Sequence, residues 1–239
     1  MLEILHTGVS GLGIQLTERQ LEQFERYYQE LLDWNRRTNL TTIVEYREVQ
    51  TKHFLDSLSV ALAVPTALLS RASLVDVGAG AGFPGIPLKI AFPGMHLVLV
   101  ESVAKKAAFL HHLVEVLGLG GVEVYTARAE ELAHRSGLRE RFDLATGRGV
   151  AEMAALAELT LPFCHLGGLV VAHKKGDVAQ ELARASRALE TLGGRLKRVV
   201  PVALEGLEDG RVLVVVEKVA PTPPGFPRRP GMPQKRPLG

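Results

Sequence analysis

A single cysteine, Cys164, stands among the 239 residues, so no disulfide can close within the chain and no cysteine-based zinc site can be built. It lies in the apolar stretch LPFCHLGG, surroundings that raise a thiol pKa, and reads as buried and inert rather than nucleophilic. No run of 18 apolar residues occurs, and the opening MLEILHTGVSGLGIQL has no basic leader followed by a long apolar core. Neither membrane spanning nor secretion is indicated, and the expected location is the cytoplasm. His111 and His112 share a helical stretch that offers no matching ligands, so no metal is expected. Charge of either sign is not in excess: the net charge of +2 and a pI near 8.7 are too mild to name a partner. The closing segment Pro221–Gly239 is the exception, with seven prolines and no acid.

With 46% hydrophobic and 23% charged residues, the chain can bury one full core. Thr17-Glu18-Arg19-Gln20 has the form of a capping box, and Leu21, Phe24, Tyr28, Leu31 and Leu32 follow at helical spacing, which predicts a helix over 17–36. A second helix is expected over 48–63, with Phe54, Leu55, Leu58 and Leu62 inward. From residue 73 the pattern alternates. Strands fit 73–77, 96–101, 121–125, 142–146, 168–173, 195–203 and 211–218, with helices at 84–91, 103–117, 128–135, 150–163 and 177–192. This is the rhythm of an α/β fold with a doubly wound, mostly parallel sheet, closed by an antiparallel hairpin as in the Rossmann-like methyltransferases. Three parts follow: an amino-terminal helical extension packed on the core (1–64), the sheet domain (65–219) and a basic, proline- and glycine-rich tail (220–239) that reads as extended rather than packed.

The most informative stretch is SLVDVGAGAGFPG, Ser73 to Gly85, a short apolar strand ending in an acid and a glycine run. Gly80-x-Gly82-x-x-Gly85 matches a dinucleotide fingerprint, and Glu101 ends the next strand where a ribose-binding acid should stand. Against a dinucleotide stands Asp76, whose charge at the strand tip would repel a pyrophosphate and favour the doubly cationic S-adenosylmethionine. A glycine-rich turn without a ligand is the third reading.

In open α/β sheets the ligand lies outside the carboxyl ends of the strands. There the backbone of Gly78, Gly80, Gly82 and Phe83 is placed beside the methionine part of the cofactor, Glu101 on both ribose hydroxyls, and Ser102 and Val103 beside the adenine. Ala129 and Glu130 follow the third strand, where adenine edges are read, and Arg148 follows the fourth, where cofactor and substrate meet. Competing readings stay open: Glu101 as a helix cap, Glu130 as a first-turn acid, Arg148 as a solvated side chain. His53 and Asp56 share a helix face and alone suggest only a polar edge. The chain lacks a suitable cysteine for attack at carbon-5 of a pyrimidine and, after the fourth strand, the Asn/Asp-Pro-Pro-aromatic loop common for exocyclic amines. A ring nitrogen with a free lone pair, such as guanine nitrogen-7, needs neither.

Taken with WNRRTNLTTI, HFLDSL, DVGAGAGFPGIPLKI, ES-x-x-KK-x-x-FL, ARAEE, GRGVA, HKKG and RRPGMPQKRPL, these features make the chain resemble the RsmG (GidB) family nearly end to end. These are bacterial methyltransferases that modify guanine nitrogen-7 in small-subunit ribosomal RNA. Where members often read RAVA, this chain has Arg148-Gly149-Val150-Ala151. The resemblance implies S-adenosylmethionine as donor and guanosine 527, in the 530 loop of 16S ribosomal RNA, as target. It also implies cofactor roles for Gly78, Phe83, Glu101, Ser102, Val103, Ala129, Glu130 and Arg148. His53 and Arg148 become the groups expected nearest the target base, Lys174 and Lys175 are expected to hold phosphates, and Arg228, Arg229, Lys235 and Arg236 to face RNA. Removal of the tail should then leave cofactor binding unchanged. Methylation of a small molecule or protein, and a nucleotide-binding regulatory module, remain as alternatives.

Overall fold

Apolar residues alternate along the strands, and each face of the sheet collects its own core. A computed structural model describes residues 2–135 and 137–239. The strands are Ser73–Val77 (β1), His96–Glu101 (β2), Val122–Thr126 (β3), Phe142–Arg148 (β4), Cys164–Lys175 (β5), Gly194–Pro201 (β6) and Arg211–Lys218 (β7). They form one sheet in the order β3-β2-β1-β4-β5-β7-β6. The first five strands are parallel, and β7 enters between β5 and β6 antiparallel to both. Strand order reverses between β1 and β4, so a crevice must open at their carboxyl ends. The edge strand β6 carries Arg195 and Lys197, both paired with Glu217 of β7, and such edge cations discourage pairing with another chain.

On one face, Leu74, Leu97, Leu99, Leu144, Val171 and Val215 pack with Phe24, Tyr27, Phe54 and Leu58 from the first 62 residues. On the other, Val75, Val77, Val98, Val100, Ala145 and Val170 pack with the helices Met153–Thr160 and Ala179–Thr191. The helix Glu18–Thr38 begins in the expected capping box: Thr17 Oγ1 accepts from Gln20 N, and Gln20 Oε1 accepts from Thr17 N. A preceding helix, Glu3–Ser10, was not anticipated, because only Leu5 and Val9 of its short sequence are buried. Residues 46–62 are helical throughout, but Val49–Leu55 is a π-helix and Ser59–Leu62 a 3-10 turn. Sequence periodicity does not resolve such a change of pitch, which is common at functional sites.

The tail departs from the extended reading. Glu158, wholly buried on the helix Met153–Thr160, binds Arg228 through its backbone N–H and its guanidinium, and a short helix, Met232–Lys235, follows. Arg139 adds hydrogen bonds to the carbonyls of Thr222, Pro223 and Phe226. These buried and half-buried polar partners hold the tail against the domain, and no apolar pattern in the sequence could announce them.

Candidate active site

A cavity of about 320 Å³ opens at the carboxyl ends of β1 to β4. Val77 and Gly78 from β1 and its loop, Glu101 and Ser102 after β2, Ala129 and Glu130 after β3, and Gly149 and Val150 after β4 line it. Lys106, Arg128 and Gln234 line it as well. Glu101 is buried and braces the loops: Oε2 accepts from Gly80 N at 2.9 Å and Oε1 from Val103 N at 2.7 Å. It therefore caps the following chain, yet each oxygen keeps a second lone pair for a ligand hydroxyl. Glu130 Oε1 accepts from Gly231 N of the tail at 2.8 Å. Gly78 has a φ of +69°, and a Cβ there would meet the Val150 side chain at 2.9 Å, so only glycine brings this loop so close.

Asp76 is not among the residues that line this cavity. It is wholly buried, its Oδ2 accepts from Gly85 N at 2.9 Å, and its Oδ1 has no partner among the described residues. Burial pushes its pKa up to about 7 against the bond from Gly85, so the unpartnered oxygen is a seat for a proton. The expected position, an acid at the strand tip facing the cofactor, is thus corrected to a carboxyl buried beneath the glycine loop and outside the cavity lining. The objection to a dinucleotide gains a different basis: the Gly85 amide, which opens the helix Gly85–Ala91 where a pyrophosphate would dock, is already given to Asp76. Gly82 and Phe83 also turn inward. A Cβ on Gly82 would meet Ile86 and the Tyr27 hydroxyl below 3.0 Å, and the Phe83 ring stacks between Tyr27 at 5.2 Å and His53 at 4.3 Å.

Beside the cavity, Arg148 ends β4 in a dense polar cluster. Its Nη1 donates to Asp56 Oδ2 at 2.8 Å and to the Lys52 carbonyl, its Nη2 donates to His53 Nδ1 at 3.1 Å, and its guanidinium lies 4.9 Å from the Phe83 ring centre. Arginine only donates, so Nδ1 must accept, and His53 is neutral with its proton on Nε2, 2.8 Å from Thr41 Oγ1. Burial, and next the Arg148 charge, push the His53 pKa down to about 3. Both its nitrogens are committed: in this arrangement it orients Arg148 and Phe83 and has no free position from which to take a proton. Burial opposes ionisation of Asp56, but His173, Arg148 and Arg211 together hold its carboxyl below the ordinary range. Arg211 Nη1 lies 3.0 Å from Asp56 Oδ2, and His173 Nε2 donates to the Asp56 carbonyl at 3.1 Å.

Sequence reasoning missed Thr41, His173 and Arg211. Thr41 and His173 carried a faint signal, inside the quoted NLTT and HKKG stretches; Arg211 lies in β7, and only sheet order brings it to Asp56. Two predicted phosphate contacts are not available as such. Lys174 is mostly buried on Glu181 and the Ala151 carbonyl, and Arg228 is held by Glu158. Lys175 is exposed, although paired with Asp209, and Arg229, Lys235 and Arg236 are exposed. Ser102 reaches the cavity, whereas Val103 contributes its N–H to Glu101 and turns its side chain to solvent. Cys164 is buried with its pKa pushed up to about 12, and no His, Cys, Asp and Glu cluster able to hold a metal occurs among the described residues.

A sheet with β7 inserted antiparallel next to β5, and a cavity over the reversal between β1 and β4, defines a Rossmann-like methyltransferase. Its fold is shared by a mutant of MtNAS solved in complex with S-adenosylmethionine, at a TM-score of 0.53 and 18% identity over 92% of this chain and 78% of that one. The chain belongs to the GidB family, rRNA small subunit methyltransferase G, whose sequence model matches residues 20–208. A relative of that name from Dehalococcoides mccartyi is 54% identical over 97% of both chains. Another, from Roseiflexus sp. strain RS-1, is 49% identical over 99% of this chain and all of its own.

Proposed function

We propose that this protein transfers a methyl group from S-adenosylmethionine to nitrogen-7 of a guanine in 16S ribosomal RNA, guanosine 527 of the 530 loop. The observation that carries the donor is the pairing of a filled helix terminus, Gly85 N–H on Asp76, with a carboxylate, Glu101, left at the cavity wall. That chemistry is unsuited to phosphate and suited to ribose hydroxyls. The cavity offers Glu101 to the ribose, Glu130 and the backbone near Ala129 to the adenine, and the loop at Gly78 to the amino-acid end.

The bound cofactor supplies an activated methyl on a sulfonium, which a ring-nitrogen lone pair takes in line while the carbon–sulfur bond breaks. No proton moves in that step, so no general base is needed. This agrees with a His53 whose nitrogens are both occupied and with the burial of the one thiol. Arg148, which ends β4 beside the cavity, is the group of the cluster we assign to the substrate, while Asp56, Arg211 and His53 hold it rigid. Lys175, Arg229, Lys235 and Arg236 are the cations we assign to RNA phosphates. Incubation with labelled S-adenosylmethionine and ribosomal RNA from cells lacking the enzyme, followed by mapping of the modified nucleotide, tests the proposal. Label on nitrogen-7 of guanosine 527 is expected; label elsewhere, or none, refutes it.

A further inference from the structure

The tail does more at the cavity than carry charge past it. Its course is fixed by the Arg228 pair with buried Glu158, and from there it crosses to the cavity rim, where Gly231 N donates to Glu130 Oε1 at 2.8 Å. One turn later Gln234 lines the cavity itself, its Nε2 3.3 Å from the Val150 carbonyl and its Oε1 without a protein partner among the hydrogen bonds of the described residues. The next residues, Lys235 and Arg236, are exposed. Gln234 is exposed as they are, but of the three it alone lines the cavity.

We propose that the carboxyl-terminal strap roofs the cofactor cavity and that Gln234 is a cofactor-contacting residue, its amide reading the hydrogen-bonding edge of the adenine. The proposal rests on the reading of the cavity as a site for S-adenosylmethionine. The base rather than the amino-acid end is the target because the strap's backbone at Gly231 binds Oε1 of Glu130, the residue assigned to the adenine, three residues before Gln234 enters the same cavity. A glutamine amide can donate to a ring nitrogen of adenine and accept from its 6-amino group at once. The weak bond to Val150, at the long end of hydrogen-bond range, is the one such a contact would replace. Contrary to the expectation from sequence, removal of the tail then weakens cofactor binding.

The test is calorimetry of S-adenosylhomocysteine and of adenosine on the full chain, on Gln234→Ala, and on Lys235→Ala, an exposed residue that does not line the cavity. Gln234→Ala should weaken both ligands by the same factor, about five- to tenfold for one or two hydrogen bonds, because the lost contact is to the base they share. Lys235→Ala should bind as the unaltered chain does. Melting curves of the free proteins accompany the titrations, so that a fold defect is seen directly. Unchanged affinity in Gln234→Ala, or a lowered melting temperature with unchanged affinity, overturns the roof and leaves the cofactor assignment standing. Loss for S-adenosylhomocysteine with none for adenosine overturns the assignment of Gln234 to the base. If the unaltered chain binds neither ligand, the cofactor reading falls and the roof with it.

Discussion

Arg228 and Arg148 both reach buried carboxylates, and they differ in what is left over. Arg228 saturates Glu158: Oε1 accepts from its backbone N–H and Nε, and Oε2 accepts from Nε and Nη2, at 2.6 to 3.1 Å. Arg148 shares Asp56 with Arg211 on one oxygen, and Asp56 Oδ1 has no partner among the described residues although the residue is 1% exposed. A saturated buried pair has nothing further to offer and serves as an anchor. An unsaturated one, with two cations converging on one oxygen beside a stacked histidine, is the kind of cost a functional site bears. Sequence reasoning had given both arginines to ligands. The difference lies in the partners, which sit 70 and 92 positions away.

Breaking the anchor should have the largest effect on the fold. Arg228→Ala leaves the buried Glu158 with the backbone N–H of residue 228 and no guanidinium, and should cost about 3 to 5 kcal/mol in urea unfolding. Adding Glu158→Leu should recover much of that, since an apolar replacement removes the stranded charge. A single-variant loss below about 1 kcal/mol would show the tail to be loosely held.

Arg148→Ala should separate the two pairs. Arg211 still neutralises Asp56, so we expect a smaller stability loss, about 1 to 3 kcal/mol, with a fall of about a hundredfold in the single-turnover rate of methyl transfer. A collapsed melting curve with a full rate in the folded remainder would move Arg148 into the structural class of Arg228.

The pH dependence sharpens the contrast between the buried groups of the site. His53, ordinarily near 6.5 and about 3 when folded, contributes stability present above about pH 6.5 and lost as pH falls through 3. Asp76, ordinarily near 3.8 and about 7 when folded, contributes stability present below about pH 4 and lost as pH rises through 7. Between roughly pH 4 and 6.5 the two slopes oppose each other, each up to about 1.4 kcal/mol per pH unit. His53→Asn should therefore make the protein less stable on raising pH through this window, and Asp76→Asn more stable, relative to the unaltered chain. Denaturant titrations at pH 4.5 and 6.5 check both signs.

The smallest effect belongs to the exposed cations of the tail. Replacing Arg229, Lys235 and Arg236 with alanine should leave the melting temperature within a degree or two. It should flatten the slope of log RNA affinity against log salt by about 2, the single-strand value for three phosphate contacts. An unaltered slope would take the strap out of the RNA interface.

Periodicity along the chain determined the sheet, because an apolar alternation of two and a helical spacing of three and four report on the local chain and need no distant partner. β1, β2 and β7 have the boundaries expected, as does the capping box at Thr17. The glycine run and Glu101 were legible for the same reason: a backbone needing φ near +69° at Gly78 and an acid closing the next strand are local requirements. Only the tertiary structure decided that Asp76 fills a helix terminus, that Arg228 saturates Glu158 while Arg148 shares one oxygen of Asp56 with Arg211, and that a tail without an acid reaches the cavity. Each depends on a carboxylate, an amide or a guanidinium supplied from far along the chain. A charged residue carries no mark of whether its partner will be water, a phosphate or a buried acid until folding sets the distance between them.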